Sequence, residues 1–501
     1  MIKIYDAGAV SSHFDNRPKV TVRIGLFFDG TGNNRVNSRI GADCQALCEL
    51  FQQAHTNDCG GRHSNPNSSY SNNLTNIARL VDFYRHQPHA QDSGDGLRVF
   101  KAIYISGVGT KSGGRDSILS GLGFGRGATG LVAKVQHGVR KLGESLRCFE
   151  DDNPGCVIGA LELDLFGFSR GAAAARHMAN EVLKQRRGLL NAVLDRRTLP
   201  LSAGFCWDNQ SVSLKVIGLF DTVAAVGGLS DLGNVGDSVN ARVNLFLPAG
   251  CAQQVLHLVA GDEHRRNFAL NSVTPDWPIE IVLPGSHSDI GGGYQTQMLE
   301  KVALTRPRRS VVTIQTPYDV TDAWLQAHTE LATLDARRWI DPHDPYATLG
   351  VECLERLSVS GRDTKKVVAA VVLERNVCGH LSLVHLRMMH ALACDEGAPF
   401  DPIDPSPLMS LPLELREVSR KLLDYARQHL KGLASSAVAR PSYGLSADEL
   451  AMLYQRYIHC SAHWNGLLGR RGTLMDSMFV NAPQLNGRMR FSNVSQPGYP
   501  H

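Results

Sequence analysis

The run Leu161-Glu162-Leu163-Asp164-Leu165-Phe166-Gly167-Phe168-Ser169-Arg170-Gly171-Ala172-Ala173-Ala174-Ala175 decides how this chain folds. Its first six residues alternate and then close into apolar positions, as a buried strand does, and the alanines after Gly171 are strong helix formers. Between them Gly167, Ser169 and Gly171 form a G-x-S-x-G turn, and strand, sharp turn and helix together make the setting of a nucleophile elbow. Glycine is required on both sides because a Cβ would crowd the neighbouring backbone while the serine is pushed outward. The amides of Arg170 and Gly171 then open a helix whose positive end faces the serine, suited to a developing oxyanion.

Outward from this turn, further strand-like runs appear at 20–28, 99–105, 214–220, 255–260 and 279–283, with helical stretches between them. Short, apolar and β-branched segments in that rhythm predict a mostly parallel sheet buried on both faces. The fold class expected is therefore α/β, of the α/β-hydrolase kind, with helices covering both faces of the sheet, insertions, and a helical C-terminal region. Polar or glycine-rich residues follow each strand: Asp29-Gly30-Thr31-Gly32, Ser106-Gly107-Val108-Gly109-Thr110, Ser169, Asp221-Thr222, Asp262-Glu263-His264 and His287-Ser288-Asp289. The carboxyl ends of parallel strands share one edge, and that edge binds ligands.

A serine hydroxyl is a poor nucleophile at neutral pH and needs an imidazole base oriented by a carboxylate. Asp221, 52 residues after Ser169, closes the next strand and is the expected acid; a helix-capping role is its alternative. His287, 66 residues further on, follows the last of these strands through Pro284-Gly285 and is the expected base. His264, His177 and His459 are its competitors. The oxyanion hole is expected from the backbone N–H of Arg170 together with that of Asp29 or Gly30, with the Asp29 carboxylate bonding the backbone of Thr31 or Gly32 as Asx turns do.

Composition narrows the functional classes. A 501-residue chain with 43% hydrophobic and 20% charged residues has room for a large core, and a net charge of +4 lacks the footprint of a nucleic-acid binder. No apolar run of about 18 residues appears, so no membrane-spanning helix is expected, and Met1-Ile2-Lys3-Ile4-Tyr5-Asp6 does not begin a Sec signal peptide. Eleven scattered cysteines are expected to be reduced rather than paired. Cys44, Cys48, His55, Cys59 and His63 are zinc-ligand types without paired spacing, and no metal or other cofactor is expected. Gly125, Gly127 and Gly130 make a formal G-x-G-x-x-G that no strand feeds, so it is read as an active-site loop rather than a dinucleotide site.

The organisation expected is a catalytic core over 18–300, with a surface insertion at 35–75 and a glycine-rich loop at 106–130. Residues 301–375 break the rhythm and form an insertion or cap, and 376–501 form a mainly helical region packing on the core. Helices are predicted near 131–142, 381–392 and 413–430, and another follows the capping box Ser446 to Glu449. The helix around Met388 and Met389 has a wide apolar face and is read first as a core helix packing on the sheet; with Leu122 and Phe124 it is otherwise a candidate for an exposed apolar patch beside the pocket.

Six blocks taken together carry a resemblance. They are Leu26-Phe27-Phe28-Asp29-Gly30-Thr31-Gly32-Asn33-Asn34, Tyr104-Ile105-Ser106-Gly107-Val108-Gly109-Thr110, Gly123-Phe124-Gly125-Arg126-Gly127-Ala128, Gly167-Phe168-Ser169-Arg170-Gly171-Ala172, Phe220-Asp221-Thr222-Val223 and His287-Ser288-Asp289-Ile290-Gly291-Gly292-Gly293-Tyr294. In this order they resemble the catalytic domain of type VI secretion phospholipase effectors, the first family of those lipases. The flanks of Tyr457-Ile458-His459 are similar to the family's C-terminal region. The resemblance implies ester hydrolysis on glycerophospholipids, with the sn-2 bond (A2 type) favoured, and Ser169, Asp221 and His287 fall on the family's triad. It also implies synthesis in the cytoplasm, delivery on a secretion spike protein to the periplasm and phospholipid membrane of a target bacterium, and a cognate immunity protein. The alternatives are a carboxylesterase or other serine hydrolase on a soluble substrate, and a non-catalytic binding module of a secretion apparatus.

Overall fold

A computed structural model describes residues 16–51, 68–114, 116, 130–207, 211–224, 243–277, 280–357, 363–432, 443–468 and 481–495. In chain order the strands are β1 (Lys19–Phe28), β2 (Gln87–Asp92), β3 (Leu97–Ile105), β4 (Val157–Phe168), β5 (Val212–Phe220), β6 (Gln254–Ala260), β7 (Leu270–Asn271), β8 (Ile281–Leu283), β9 (Gln297–Ala303), β10 (Arg308–Thr313), β11 (Thr348–Leu357), β12 (Thr364–Cys378) and β13 (Arg490–Phe491). The helices are α1 (Arg35–Phe51), α2 (Asn76–Phe83), α3 (Leu131–Arg147), α4 (Phe149–Asp152), α5 (Arg170–Leu183), α6 (His287–Gly291), α7 (Asp322–Thr333), α8 (Leu381–Asp395), α9 (Leu413–Leu430), α10 (Ala447–Arg456) and α11 (Asn465–Leu468).

A seven-stranded sheet in the order β2-β3-β1-β4-β5-β6-β8 forms the centre of the molecule. Every neighbouring pair is parallel except β2 and β3. Its strands are continuous apolar runs because both faces are covered. One face packs Val135, Leu142, Ala174 and Met178 of α3 and α5. The other packs Ile77 and Leu80 of α2 with Val384, Met388 and Met389 of α8 and Leu415 and Leu422 of α9. Met388 and Met389 are thus interior, in keeping with the core-helix reading of this stretch, and the wide apolar face of α8 packs on the sheet and α9. Leu122 and Phe124 lie outside the described residues.

The interior of the sheet holds one charged pair that hydrophobic patterning does not reveal. Asp164 on β4 accepts hydrogen bonds from Arg23 Nε and Nη2 on β1 at 2.8 and 3.0 Å, from Tyr84 Oη at 2.7 Å and from the Val216 amide at 3.0 Å. The last bond takes a strand amide out of the ladder, and the β4–β5 register shifts between Leu163 and Leu165 at that place.

Residues 301–375, where the rhythm of the sequence breaks, lie in a second sheet built from residues 297–378. It is antiparallel, with β12 between β11 on one side and β10 and β9, one after the other along its length, on the other side. The strands were hidden from sequence reading because β12 is apolar on both faces, and its valines and alanines have no visible period 2. Ala323 and Ala327 of α7 cover Val367 and Ala369, while Leu468 covers Val368 and Ala370. The basic, exposed stretch around Arg306, Arg308 and Arg309 leads into β10, with Arg308 bonded to Glu330. Arg375 of β12, buried, donates to Glu300 Oε2 at 3.0 and 2.9 Å and to the Ile458 carbonyl at 2.8 Å, tying this sheet to the segment after α10.

Cys44 packs against Tyr70. His55, Cys59 and His63 lie outside the described residues, among which no His, Cys, Asp and Glu cluster suits a metal ion. Among the described residues no helix is long and apolar enough to cross a membrane. Removing the Asp164 carboxylate strands the Arg23 guanidinium in the core. Asp164→Ala is therefore expected to lower unfolding free energy by about 3–5 kcal/mol, read as a fall in the urea midpoint with little change in slope.

Candidate active site

Strand β4 delivers the serine in a conformation that ordinary residues avoid. Ser169 has φ 56° and ψ −124°, between the end of β4 and the first turn of α5. The close packing around it explains the two glycines. A Cβ on Gly167 would lie 2.4 Å from the Gly171 carbonyl oxygen, and one on Gly171 would lie 2.2 Å from the Phe28 carbonyl oxygen and 2.4 Å from that of Asp29. The helix thus starts hard against the end of β1, and the strain at Ser169 is held by that contact.

Parallel pairing brings the acid beside the serine. Phe168 is in register with Phe220, the Ser169 amide donates to the Phe220 carbonyl at 3.0 Å, and the Val223 amide donates to the Ser169 carbonyl at 3.4 Å. Asp221 follows directly and also has a positive φ, 42°. Its Oδ1 accepts from the Ala260 amide at 3.0 Å and its Oδ2 accepts from His287 Nδ1 at 2.5 Å. Asp221 is fully buried and His287 nearly so.

His287 was expected in a loop, and instead it opens the short helix α6, whose capping box joins Ser286 and Asp289. The imidazole is held between Phe168, with ring centroids 4.7 Å apart, and Phe268 at 4.9 Å. Among the described residues no hydrogen bond is closed between the Ser169 hydroxyl and this ring. Such bonds are often longer without substrate. Of the four histidines considered, His287 is the one bonded to Asp221. His177 is buried in α5, where its Nδ1 accepts from the Asn244 amide at 3.2 Å, and burial pushes its pKa down to about 4. His264 is exposed, and His459 Nδ1 pairs with Asp289 Oδ1 at 2.7 Å while stacking on Tyr294.

Two electrostatic partners of this site are not among the expected site residues, although the polar run after β6 included Glu263. Glu263, buried at the end of β6, accepts from the His287 amide at 3.3 Å and pairs with Arg265 at 2.8 Å. Arg488, from the C-terminal strap, donates to both oxygens of Asp221. Burial works against charge on Asp221, yet Arg488 and the His287 hydrogen bond hold its carboxyl far below the ordinary carboxylate range. Burial lowers the pKa of His287 below 6.5, Asp221 and Glu263 act to raise it, Arg265 acts to lower it, and the net shift is downward. The ring is therefore neutral at pH 7 and can accept a proton.

The loop after β1 departs from expectation. The Asp29 amide donates to the Ile105 carbonyl at 2.9 Å, and the Gly30 amide donates to Asp29 Oδ1 at 2.7 Å. Neither N–H is left over for an oxyanion, because one completes the sheet ladder and the other caps the buried carboxylate. Asp29 also accepts from Thr75 Oγ1 at 2.7 Å and Tyr104 Oη at 2.6 Å rather than from Thr31 or Gly32. The buried hydroxyl of the next residue, Thr31, has no hydrogen-bond partner among the described residues. The glycine-rich stretch ahead of α3 lies outside the described residues save Gly130, which caps that helix.

A doubly covered, mostly parallel sheet with a strained serine at a strand-to-helix turn, and an Asp–His pair on later strand ends, makes this an α/β-hydrolase-like protein. Residues 203–310, which include Asp221 and His287, match the family model of the type VI secretion phospholipase effector Tle1-like catalytic domain. A solved structure of the Tle1 effector bound to the VgrG spike of the type 6 secretion system is 28% identical, with 95% of this chain and 94% of that chain covered and a TM-score of 0.71. An uncharacterized protein from Pseudomonas aeruginosa is 19% identical, with 92% of this chain and 56% of that chain covered and a TM-score of 0.39. No curated protein matches the sequence significantly. The likeness to type VI secretion phospholipase effectors thus has two sources, a family model across the strands of Asp221 and His287 and a structural match along nearly the whole chain.

A neutral imidazole activates the serine and a protonated one does not. The rate at which a fluorophosphonate probe labels Ser169 is therefore expected to fall on acidification, with a midpoint below pH 6.5. A midpoint well above that value, measured by stopped-time gel fluorescence, would contradict a buried His287 base.

Proposed function

We propose that this chain is an antibacterial phospholipase effector of a type VI secretion system that hydrolyses acyl ester bonds of membrane glycerophospholipids through Ser169, His287 and Asp221. The observation that carries the reading is the strained Ser169 elbow beside the closed Asp221–His287 hydrogen bond. The likeness to a phospholipase effector family supplies the substrate class.

His287 takes the proton of Ser169 as its oxygen attacks the acyl carbonyl, and Asp221 keeps the ring oriented and stabilises the imidazolium. The tetrahedral oxyanion lies at the N-terminus of α5, where the first-turn amides of Arg170 and Gly171 and the positive end of the helix face it. Collapse returns the proton from His287 to the lysophospholipid oxygen, and water hydrolyses the acyl-enzyme by the same steps in reverse. Cleavage at the sn-2 position, of A2 type, is favoured. No metal or organic cofactor enters these steps. By likeness to the Tle1 effector, a VgrG spike is the carrier, and the producing cell holds a cognate immunity protein while the enzyme acts in the periplasm of its target.

Ser169→Ala is expected to fold as the wild type and to lose fatty-acid release by a factor on the order of 10⁴ to 10⁶. Mass spectrometry of phosphatidylethanolamine vesicles with different acyl chains at the two positions reads both the loss and the position cleaved. Release by the variant at near wild-type rate would remove Ser169 as nucleophile. Hydrolysis of soluble esters without any of phospholipid would favour a carboxylesterase instead.

A further inference from the structure

The acid of the site is held from the far end of the chain. Arg488 Nη1 donates to Asp221 Oδ1 at 2.7 Å and Nη2 donates to Oδ2 at 2.8 Å, a two-pronged contact that fixes the carboxylate in its plane. The guanidinium is itself anchored, since its Nε donates to the Phe268 carbonyl at 2.7 Å and its Nη1 reaches the Ala260 carbonyl at 3.4 Å. Phe268 is the residue whose ring lies against His287.

The strap that carries Arg488 is built into the core. Arg490 and Phe491 form β13 and pair in parallel with Leu270 and Asn271 of β7. Arg490 pairs with Glu280, and Asn493 accepts from Arg176 Nη2 at 3.0 Å while donating to the Leu247 carbonyl at 2.8 Å. A side chain that arrives through such a strap has little freedom to leave the carboxylate.

We infer that Arg488 is a positioning residue of the catalytic site, one that locks the Asp221 carboxylate against the His287 imidazole and shares its negative charge. The inference rests on the triad reading above, but its chemistry is separate from the identity of the substrate. Asp221 Oδ2 accepts at once from His287 and from Arg488, so the guanidinium draws charge away from the side that faces the ring. The other charged groups facing the pair are Arg265 and Glu263 from the loop after β6, and these hold each other. Removing Arg488 leaves the full Asp221 charge on the imidazole, which stabilises its protonated form, and frees the carboxylate to turn.

The test uses the full chain with Arg488→Gln and Arg488→Lys, and with Met489→Ala as a strap control whose side chain is exposed. NMR titration of labelled histidine is expected to show His287 protonating at higher pH in Arg488→Gln than in the wild type. The acid limb of the pH–rate profile should move the same way. Turnover should fall by about 10²-fold with KM little changed, the size expected when a catalytic group is slightly misplaced. Arg488→Lys, which keeps the charge but loses the two-pronged geometry, should restore the protonation midpoint and only part of the turnover. Met489→Ala should behave as the wild type. An unchanged His287 midpoint and unchanged turnover in a folded Arg488→Gln would overturn the inference while leaving the phospholipase reading intact. If that variant does not fold, wild-type turnover in Arg488→Lys does the same. A raised midpoint in a protein that releases no fatty acid would support the role of Arg488 and count against phospholipid as substrate.

Discussion

The close contact between the start of α5 and the end of β1 is the constraint on which the site is built. Gly171 lies so near the Phe28 and Asp29 carbonyls that the helix can begin only where it does, and Ser169 must absorb the turn with φ 56°. A strained residue of this kind persists only when its surroundings over-determine it. Here they consist of β1 and β5 on either side of β4, a sheet packed on both faces, and the Ser169 amide tied to Phe220. The price is local and the return is a hydroxyl raised above the sheet edge at the positive end of a fourteen-residue helix.

Burial then sorts the charges around that hydroxyl. An isolated carboxylate in the interior would take up a proton, but Asp221 accepts from Arg488, His287 and the Ala260 amide and remains ionised. His287 is neutral for the opposite reason, since burial outweighs the attraction of Asp221 and Glu263. Asp29 shows the third outcome: surrounded by the Thr75 and Tyr104 hydroxyls and the Gly30 amide, its pKa is nevertheless raised by burial. It serves as a peg that shapes the β1 loop. Three aspartates at or near the same sheet, Asp29, Asp164 and Asp221, thus have three sets of partners, and only Asp221 is bonded to an imidazole.

The molecule is closed by its own C-terminal part. Residues after 378 supply α8 and α9 to one face of the central sheet, Ile458 receives Arg375, and the strap at 488–493 reaches under the site to Asp221, Glu280 and Arg176. Such long connections make the site a property of the whole chain rather than of the segment that carries the serine.

Local chemistry made much of this legible in the sequence. The G-x-S-x-G turn between an apolar run and an alanine-rich helix, and the polar residues after each strand, follow from backbone sterics and from burial of parallel strands on both faces; those rules act within some ten residues. The Ser446 capping box is equally local, and α10 begins after it with both reciprocal bonds formed. What the tertiary structure alone decided is which distant groups meet. Sequence spacing could not show that the Asp29 and Gly30 amides are already engaged, that 297–378 pair as an antiparallel sheet, or that Arg23 joins Asp164 inside the core. Least of all could it show Arg488, 267 positions from the aspartate it grips. An arginine in a polar tail has no local signature; its role arises from a pairing between two-residue strands, β7 and β13, whose register only the folded core imposes.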